Sequence, residues 1–131
     1  MKYEFSHVHV LCTDLEPVVT FFTEAFGAEV VRRRMIGAAA TAKPGADVKV
    51  GDCMLYLKAM GSDWKSPDPT DSICGYNHIA FLVDDVKASL KELTARKDTR
   101  MVLEPYVAGS RLCAFVAGPD NLYVEVMEDI K

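Results

Sequence analysis

The sequence predicts an α+β protein made of two tandem βαβββ modules, and three observations carry that reading. The chain repeats itself: a shift of 71 residues lays His7-Val8-His9-Val10 on His78-Ile79-Ala80-Phe81, Asp14 on Asp85, Leu15 on Val86, Val19 on Leu90 and Phe22 on Leu93. Each repeat opens with a β-like run that stops at an aspartate, where a helix can begin. Three further β-type stretches follow each helix.

Taken in order, Val8 to Cys12 is rich in branched residues and reads as a strand. Asp14 is placed to cap a helix from Leu15 to Phe26 whose apolar face is Val18, Val19, Phe22 and Phe26. Pro17 is tolerated in the first turn, and Gly27 stops the helix in the left-handed conformation. Strands are expected at Ala28 to Met35, Asp47 to Val50 and Met54 to Leu57, with Gly37 to Gly45 a loop or irregular edge. Met60 to Gly75, holding Gly61, Ser62, Pro67, Pro69 and Ser72, has a linker's composition. The second module repeats the plan: Ile79 to Val83, a helix from Val86 to Arg96, then Met101 to Val107, Arg111 to Ala117 and Leu122 to Met127. A chain of 131 residues is the size of one domain, with modules at about 5–60 and 76–128 and a linker at 61–75.

Composition narrows the function. Half the chain is apolar and 26% is charged, and fifteen Lys and Arg against nineteen Asp and Glu leave a net charge of −4. No extended basic patch can be built from that balance, so no nucleic-acid partner is expected. Arg32-Arg33-Arg34, the one cationic cluster, reads as a solvated strand edge. No stretch approaches the ~20 apolar residues of a membrane span, and the apolar run from Val8 to Leu11 is too short for an export signal. Cys12, Cys53, Cys74 and Cys113 form no CxxC pair. The expectation is a cytoplasmic protein with reduced thiols and no membrane partner.

The chemistry rests on few residues. Two of the three histidines, His7 and His78, occupy the same position in the two repeats, and a pseudo-twofold arrangement is expected to make them face one another. Glu125 lies between Val124 and Val126, where burial of a carboxylate demands a cation or hydrogen bonds. Two imidazoles and a carboxylate suit one divalent metal ion, Fe, Mn, Zn, Ni or Co, with positions left open. Strand alternation puts His9 on the face of His7, where it suits general base work.

The pattern His7-x6-Asp14 with Phe21-Phe22 and Phe26-Gly27, then His78-x6-Asp85, then Gly118-Pro-Asp-Asn-Leu-Tyr-Val-Glu125, resembles the vicinal oxygen chelate superfamily. That group includes glyoxalase I, methylmalonyl-CoA epimerase, extradiol dioxygenases, fosfomycin-resistance enzymes and bleomycin-resistance proteins. The resemblance implies paired βαβββ modules forming a curved mixed sheet around a metal-binding cleft, with His7, His78 and Glu125 as metal ligands. At the fourth ligand position of glyoxalase I this chain has Tyr56, which then borders the substrate pocket with His9 and Arg111. Trp64 and the Pro-rich linker are weaker candidates for a lid. A fosfomycin-type activity is not expected, because only six residues follow Glu125 and none forms a basic clamp for a phosphonate.

The resemblance further implies a metal-dependent enzyme, lactoylglutathione-lyase-like, acting on a small substrate that chelates the metal through adjacent oxygens, with His9 and Glu125 as the catalytic groups. An extradiol Fe(II) dioxygenase of a catechol is the alternative, and a metal-free drug-binding protein of the bleomycin-resistance type a third reading. Single chains of this size in the family usually pair, so a homodimer is expected, with His7 of one subunit beside His78 and Glu125 of the other.

Overall fold

The computed structural model describes residues 1–71 and 73–131; Ser72, assigned to the linker above, lies outside them. The chain forms two compact units, Met1–Lys65 and Ser66–Lys131. Among the described residues no helix is long and apolar enough to cross a membrane.

The first unit runs β1 (Val8–Cys12), α1 (Leu15–Thr20), β2 (Glu29–Ile36), β3 (Lys43–Val50) and β4 (Cys53–Ala59). Its four strands make one mixed sheet in the order β1-β4-β3-β2, with β1 parallel to β4 and the other pairs antiparallel. The second unit repeats this with β5 (Ile79–Leu82), α2 (Val86–Thr94), β6 (Arg100–Ala108), β7 (Arg111–Ala117) and β8 (Tyr123–Asp129), in the order β5-β8-β7-β6. The expected βαβββ duplication is therefore present strand for strand.

In each unit one sheet face packs on its helix. Ala46, Val48, Leu55 and Leu57 form that face in the first sheet, and Ala114, Val116, Val124 and Val126 hold the same register positions in the second. All eight are buried. Leu15, Val18 and Val19 of α1, and Val86, Leu90 and Leu93 of α2, supply the helical side of the two cores.

Three expectations are corrected. The first helix is α-helical only to Thr20; a π-helical turn, Phe21–Ala25, follows and buries Phe21 beside Phe22, which a uniform 3.6-residue period does not allow for. Gly27 then takes φ +67°, as expected of the residue that stops the helix. β3 begins at Lys43, not near Asp47, because Gly45 lets the strand pass where a side chain would meet Ile36 and sit 2.6 Å from the Leu57 carbonyl. Pro44 is accommodated because β4 pairs with β3 only from Gly45 onward, so no ladder bond to β4 is demanded of it.

The third correction concerns capping. Asp14 holds the extended N-cap conformation but makes no side-chain cap bond, whereas Asp85 accepts from the Ala88 N–H at 2.9 Å. The 71-residue shift explains the difference: the residue matching Ala88 is Pro17, which has no N–H to give. The second helix gains a further cap from Glu128 of β8, whose Oε2 accepts from the Val86 N–H at 2.9 Å.

Candidate functional site

The sheet face turned away from the helix carries the polar residues, and strand register places them in rows. In the first unit His9 pairs with Tyr56, Tyr56 with Asp47, and Asp47 with Arg32, giving one row across all four strands. In the second unit the matching row is Ala80, Glu125, Phe115 and Leu103. Tyr56 and Glu125 thus hold equivalent positions, as the sequence alignment of the two repeats requires.

In the second unit His78 stands just before β5 and turns its ring toward β8. His78 Nε2 lies 3.4 Å from Glu125 Oε1. The other ring nitrogen, Nδ1, donates to Oδ1 of Asn77 at 2.7 Å, which in the neutral ring puts the lone pair on Nε2, facing a carboxylate. Two acceptors so placed repel one another unless a proton or a cation lies between them. Glu125 is buried, 8% exposed, and the Cys113 thiol hydrogen-bonds to it. Burial, then the nearby Glu125 charge and that bond, push the Cys113 thiol pKa up and keep it protonated. Phe115 stands edge-on to His78 at 4.9 Å between ring centres, Tyr123 tilts against Phe115 at 4.7 Å, and Tyr106 stacks on Phe115 at 6.4 Å. The carboxylate therefore sits against an aromatic wall.

The turn before β8 sets this geometry. Asp120 and Asn121 both adopt left-handed φ values of 56° and 57°, a conformation their short polar side chains tolerate better than most. The Gly118 N–H donates to the Leu122 carbonyl at 2.9 Å and closes the turn, from which Tyr123 and Glu125 emerge on one face.

In the first unit His7 stacks flat on Tyr56, 3.7 Å between ring centres, and its Nδ1 shares a 2.8 Å hydrogen bond with Ser6 Oγ. Ser6 and Asn77 are equivalent by the 71-residue shift, so each histidine is oriented through Nδ1 by the residue just before it. His9 lies 6.2 Å from His7, on the same face as expected. Burial lowers the His9 pKa, and the neighbouring His7, Lys58 and Arg34 lower it further against the pull of Asp47, which favours the neutral imidazole.

Asp47 is fully buried and went unrecognised in the sequence. Its Oδ2 accepts from the Nε of Arg32 and, at 3.0 Å, from the Nε of Arg34, while Oδ1 has no hydrogen-bond partner among the described residues. Arg32 Nη2 reaches the Tyr56 hydroxyl at 3.4 Å, and the Arg34 guanidinium lies 4.7 Å above the Tyr56 ring. The arginine run is thus not a uniform solvated edge. Strand alternation sends Arg32 and Arg34 to the polar face and Arg33 to the other, where it pairs with Glu16.

Arg111, placed beside the substrate in the sequence reading, sits at the start of β7 and gives its Nε to Asp129 at 2.8 Å and an Nη1 to the Met127 sulfur. Trp64 is about half exposed. Among the described residues no three His, Cys, Asp or Glu side chains gather closely enough to hold a metal ion; the structure brings His78 and Glu125 together as a pair. That pair fits a metal in donor chemistry, an imidazole nitrogen beside a buried carboxylate, and supplies two ligands.

No curated protein matches the chain. Among solved structures, a glyoxalase family protein from Bacillus cereus superposes with a TM-score of 0.82 at 17% identity, covering 100% of this chain and 97% of its own. The trypanothione-dependent glyoxalase I of Leishmania major gives 0.75 at 24%, covering 97% and 87%. The fosfomycin-resistance protein FosX of Listeria monocytogenes, solved with Mn(II) and sulfate, gives 0.71 at 18%, covering 98% and 93%. At these identities the likeness is one of fold. A family model, however, matches residues 4–126, and with the duplicated βαβββ units it makes the chain a member of the glyoxalase/bleomycin resistance protein/dioxygenase superfamily.

Proposed function

We propose that this protein is a divalent-metal-dependent enzyme of its superfamily, lactoylglutathione-lyase-like, acting on a small substrate with two adjacent oxygens. The observation that carries the reading is the His78–Glu125 pair: Asn77 orients the imidazole so that Nε2 lies 3.4 Å from a buried carboxylate. His7, oriented by Ser6 as His78 is by Asn77, would be the third ligand, from the same chain or from a second copy. The Mn(II) found with the Listeria protein supports a metal on this fold. Bound there, a divalent ion of Fe, Mn, Zn, Ni or Co would stabilise negative charge developing on a substrate oxygen.

The chain's own groups do the rest. His9, on the face of His7, takes and returns the proton that moves between adjacent substrate carbons, with the Glu125 carboxylate as the second base. The Tyr56 hydroxyl, held by Arg32, donates to a substrate oxygen, and Arg111 extends the polar border of the pocket. Exposed Val30, Val31 and Met35 on β2, and Met101, Leu103 and Val107 on β6, support a homodimer that covers them. Free thiols at Cys53, Cys74 and Cys113 support a cytoplasmic location.

Elemental mass spectrometry tests the reading on wild type and His78→Ala side by side. Near one equivalent of metal, lost in the variant, is expected. Negligible metal in both after reconstitution would overturn it and point to a binding protein of the bleomycin-resistance kind. The wall of Tyr106, Phe115 and Tyr123 beside Glu125 favours one second reading, an extradiol-type Fe(II) dioxygenase of a catechol. Oxygen uptake with Fe(II) and a catechol panel separates the two.

A further inference from the structure

The two sheets share a frame, yet three equivalent register positions on their polar faces are filled in opposite ways. Arg32, Asp47 and the neighbouring Arg34 in the first sheet correspond to Leu103, Phe115 and Tyr106 in the second. The βαβββ unit therefore folds with an apolar aromatic set at this place. Apolar residues of similar volume commonly serve as well as a buried ion pair, or better, so an ionic set here is not demanded by stability.

Its geometry suits an anion. One buried carboxylate oxygen, Asp47 Oδ2, fixes both arginines through Nε, which leaves their Nη groups free of Asp47, with Arg32 Nη2 at 3.4 Å from the Tyr56 hydroxyl. Arg34 uses neither Nη group on a protein acceptor among the described residues, and the two side chains remain 53% and 34% exposed. Lys58 adds a further cation, whose charge acts on His9 as that of Arg34 does. Guanidinium edges fixed in this way match the paired oxygens of a carboxylate or phosphate.

We propose that Arg32 and Arg34, positioned by Asp47, form an oxyanion-binding subsite on the polar face of the first sheet, which takes the carboxylate or phosphate of a small organic acid. As a substrate subsite it rests on the enzyme reading above; as a binding site it does not. Metal-stripped protein is therefore titrated with sodium propionate and, separately, with inorganic phosphate, followed by NMR of the arginine side-chain N–H signals. Saturable shifts at Arg32 and Arg34 are expected with at least one probe, and the tighter one names the anion. Arg34→Gln and Arg32→Gln are each expected to weaken binding about 10-fold or more. Arg34→Lys, which keeps the charge and guards against a folding defect, is expected to lose several-fold because it cannot present a fork. Arg33→Gln makes the same charge change on the opposite face and is expected to bind as wild type. No saturable shift with either probe, or an equal loss in Arg33→Gln, would overturn the subsite. A failure of the metal reading would leave these titrations unchanged.

Discussion

Replacing Asp47 with Asn tests whether the ionic row is held by one buried charge. Asp47 is fully buried and its Oδ2 accepts from two guanidinium groups. Breaking a buried pair by removing one partner costs roughly 3–5 kcal/mol. Here the orphaned arginines are a third to a half exposed and can regain water, which lowers the figure. The amide, in turn, adds a buried NH2 group where Oδ1 had no donor to meet. The expected net loss is about 2–3 kcal/mol, or roughly 10 °C in Tm for a chain of this size. The loss also depends on pH in a fixed sense. Burial alone would raise the Asp47 pKa, but the bonds from Arg34 and Arg32 outweigh it and hold it below the usual carboxylate range. A depressed folded-state pKa contributes stability that is complete above the unfolded value near ~4 and lost as pH falls through the folded one. Urea unfolding of wild type and Asp47→Asn should therefore differ by a constant amount from pH 8 to 5 and converge below pH 4. Equal stability at pH 7, or a gap undiminished at pH 3, would refute the argument.

Three further outcomes follow from particular contacts. Asp85→Ala should cost about 1 kcal/mol in thermal unfolding, whereas Asp14→Ala should cost far less until Pro17→Ala restores the missing donor; equal costs in the wild-type background would contradict the capping account. Gly45→Ala should destabilise by at least ~1–3 kcal/mol, since the added methyl meets Ile36 and the immovable Leu57 carbonyl, and a fluorimetric Tm at the wild-type value would count against it. Asn77→Ala should weaken metal binding about 10- to 100-fold by freeing the His78 ring, read by competition with a chromogenic chelator; unchanged affinity would remove Asn77 from the site.

Much of the fold was legible because it rests on short-range chemistry. The repeat, the apolar runs and the Gly27 stop depend on residue type and spacing alone, and they appear where expected. The misreadings have two causes: a partner distant in sequence, or a local detail that shows only when the repeats or the strand faces are compared. Asp14 fails as a cap through Pro17, a local effect visible only when the two repeats are compared. Lys43 to Gly45 looked like a loop because Gly45 and Pro44 are poor strand formers, and only contact with Ile36 and Leu57 shows why a residue without a side chain is wanted there. The arginine run hid its division between two faces, although period-two alternation already separates Arg33 from Arg32 and Arg34. Asp47 had such a signal too. It stands between Ala46 and Val48, as Glu125 stands between two valines, and both are buried carboxylates in a β-run.

The duplication explains how one frame supports two different surfaces. On the helix side the two sheets keep apolar residues at the same register: Ala46 with Ala114, Val48 with Val116, and Leu55 and Leu57 with Val124 and Val126, the last two pairs differing by one methylene. Close packing holds these positions to apolar residues of nearly the same volume, so this side holds strand order and spacing. The opposite face is under no such demand. There, His9, Tyr56, Asp47 and Arg32 answer to Ala80, Glu125, Phe115 and Leu103, and no pair matches in charge or polarity except Tyr56 and Glu125. A fold whose apolar core lies on one face of each sheet leaves the other free to carry a cationic row in one unit and an aromatic-walled carboxylate in its twin. The chemistry of this chain is therefore to be sought in the residues by which its two halves differ, set against the two histidines they have in common.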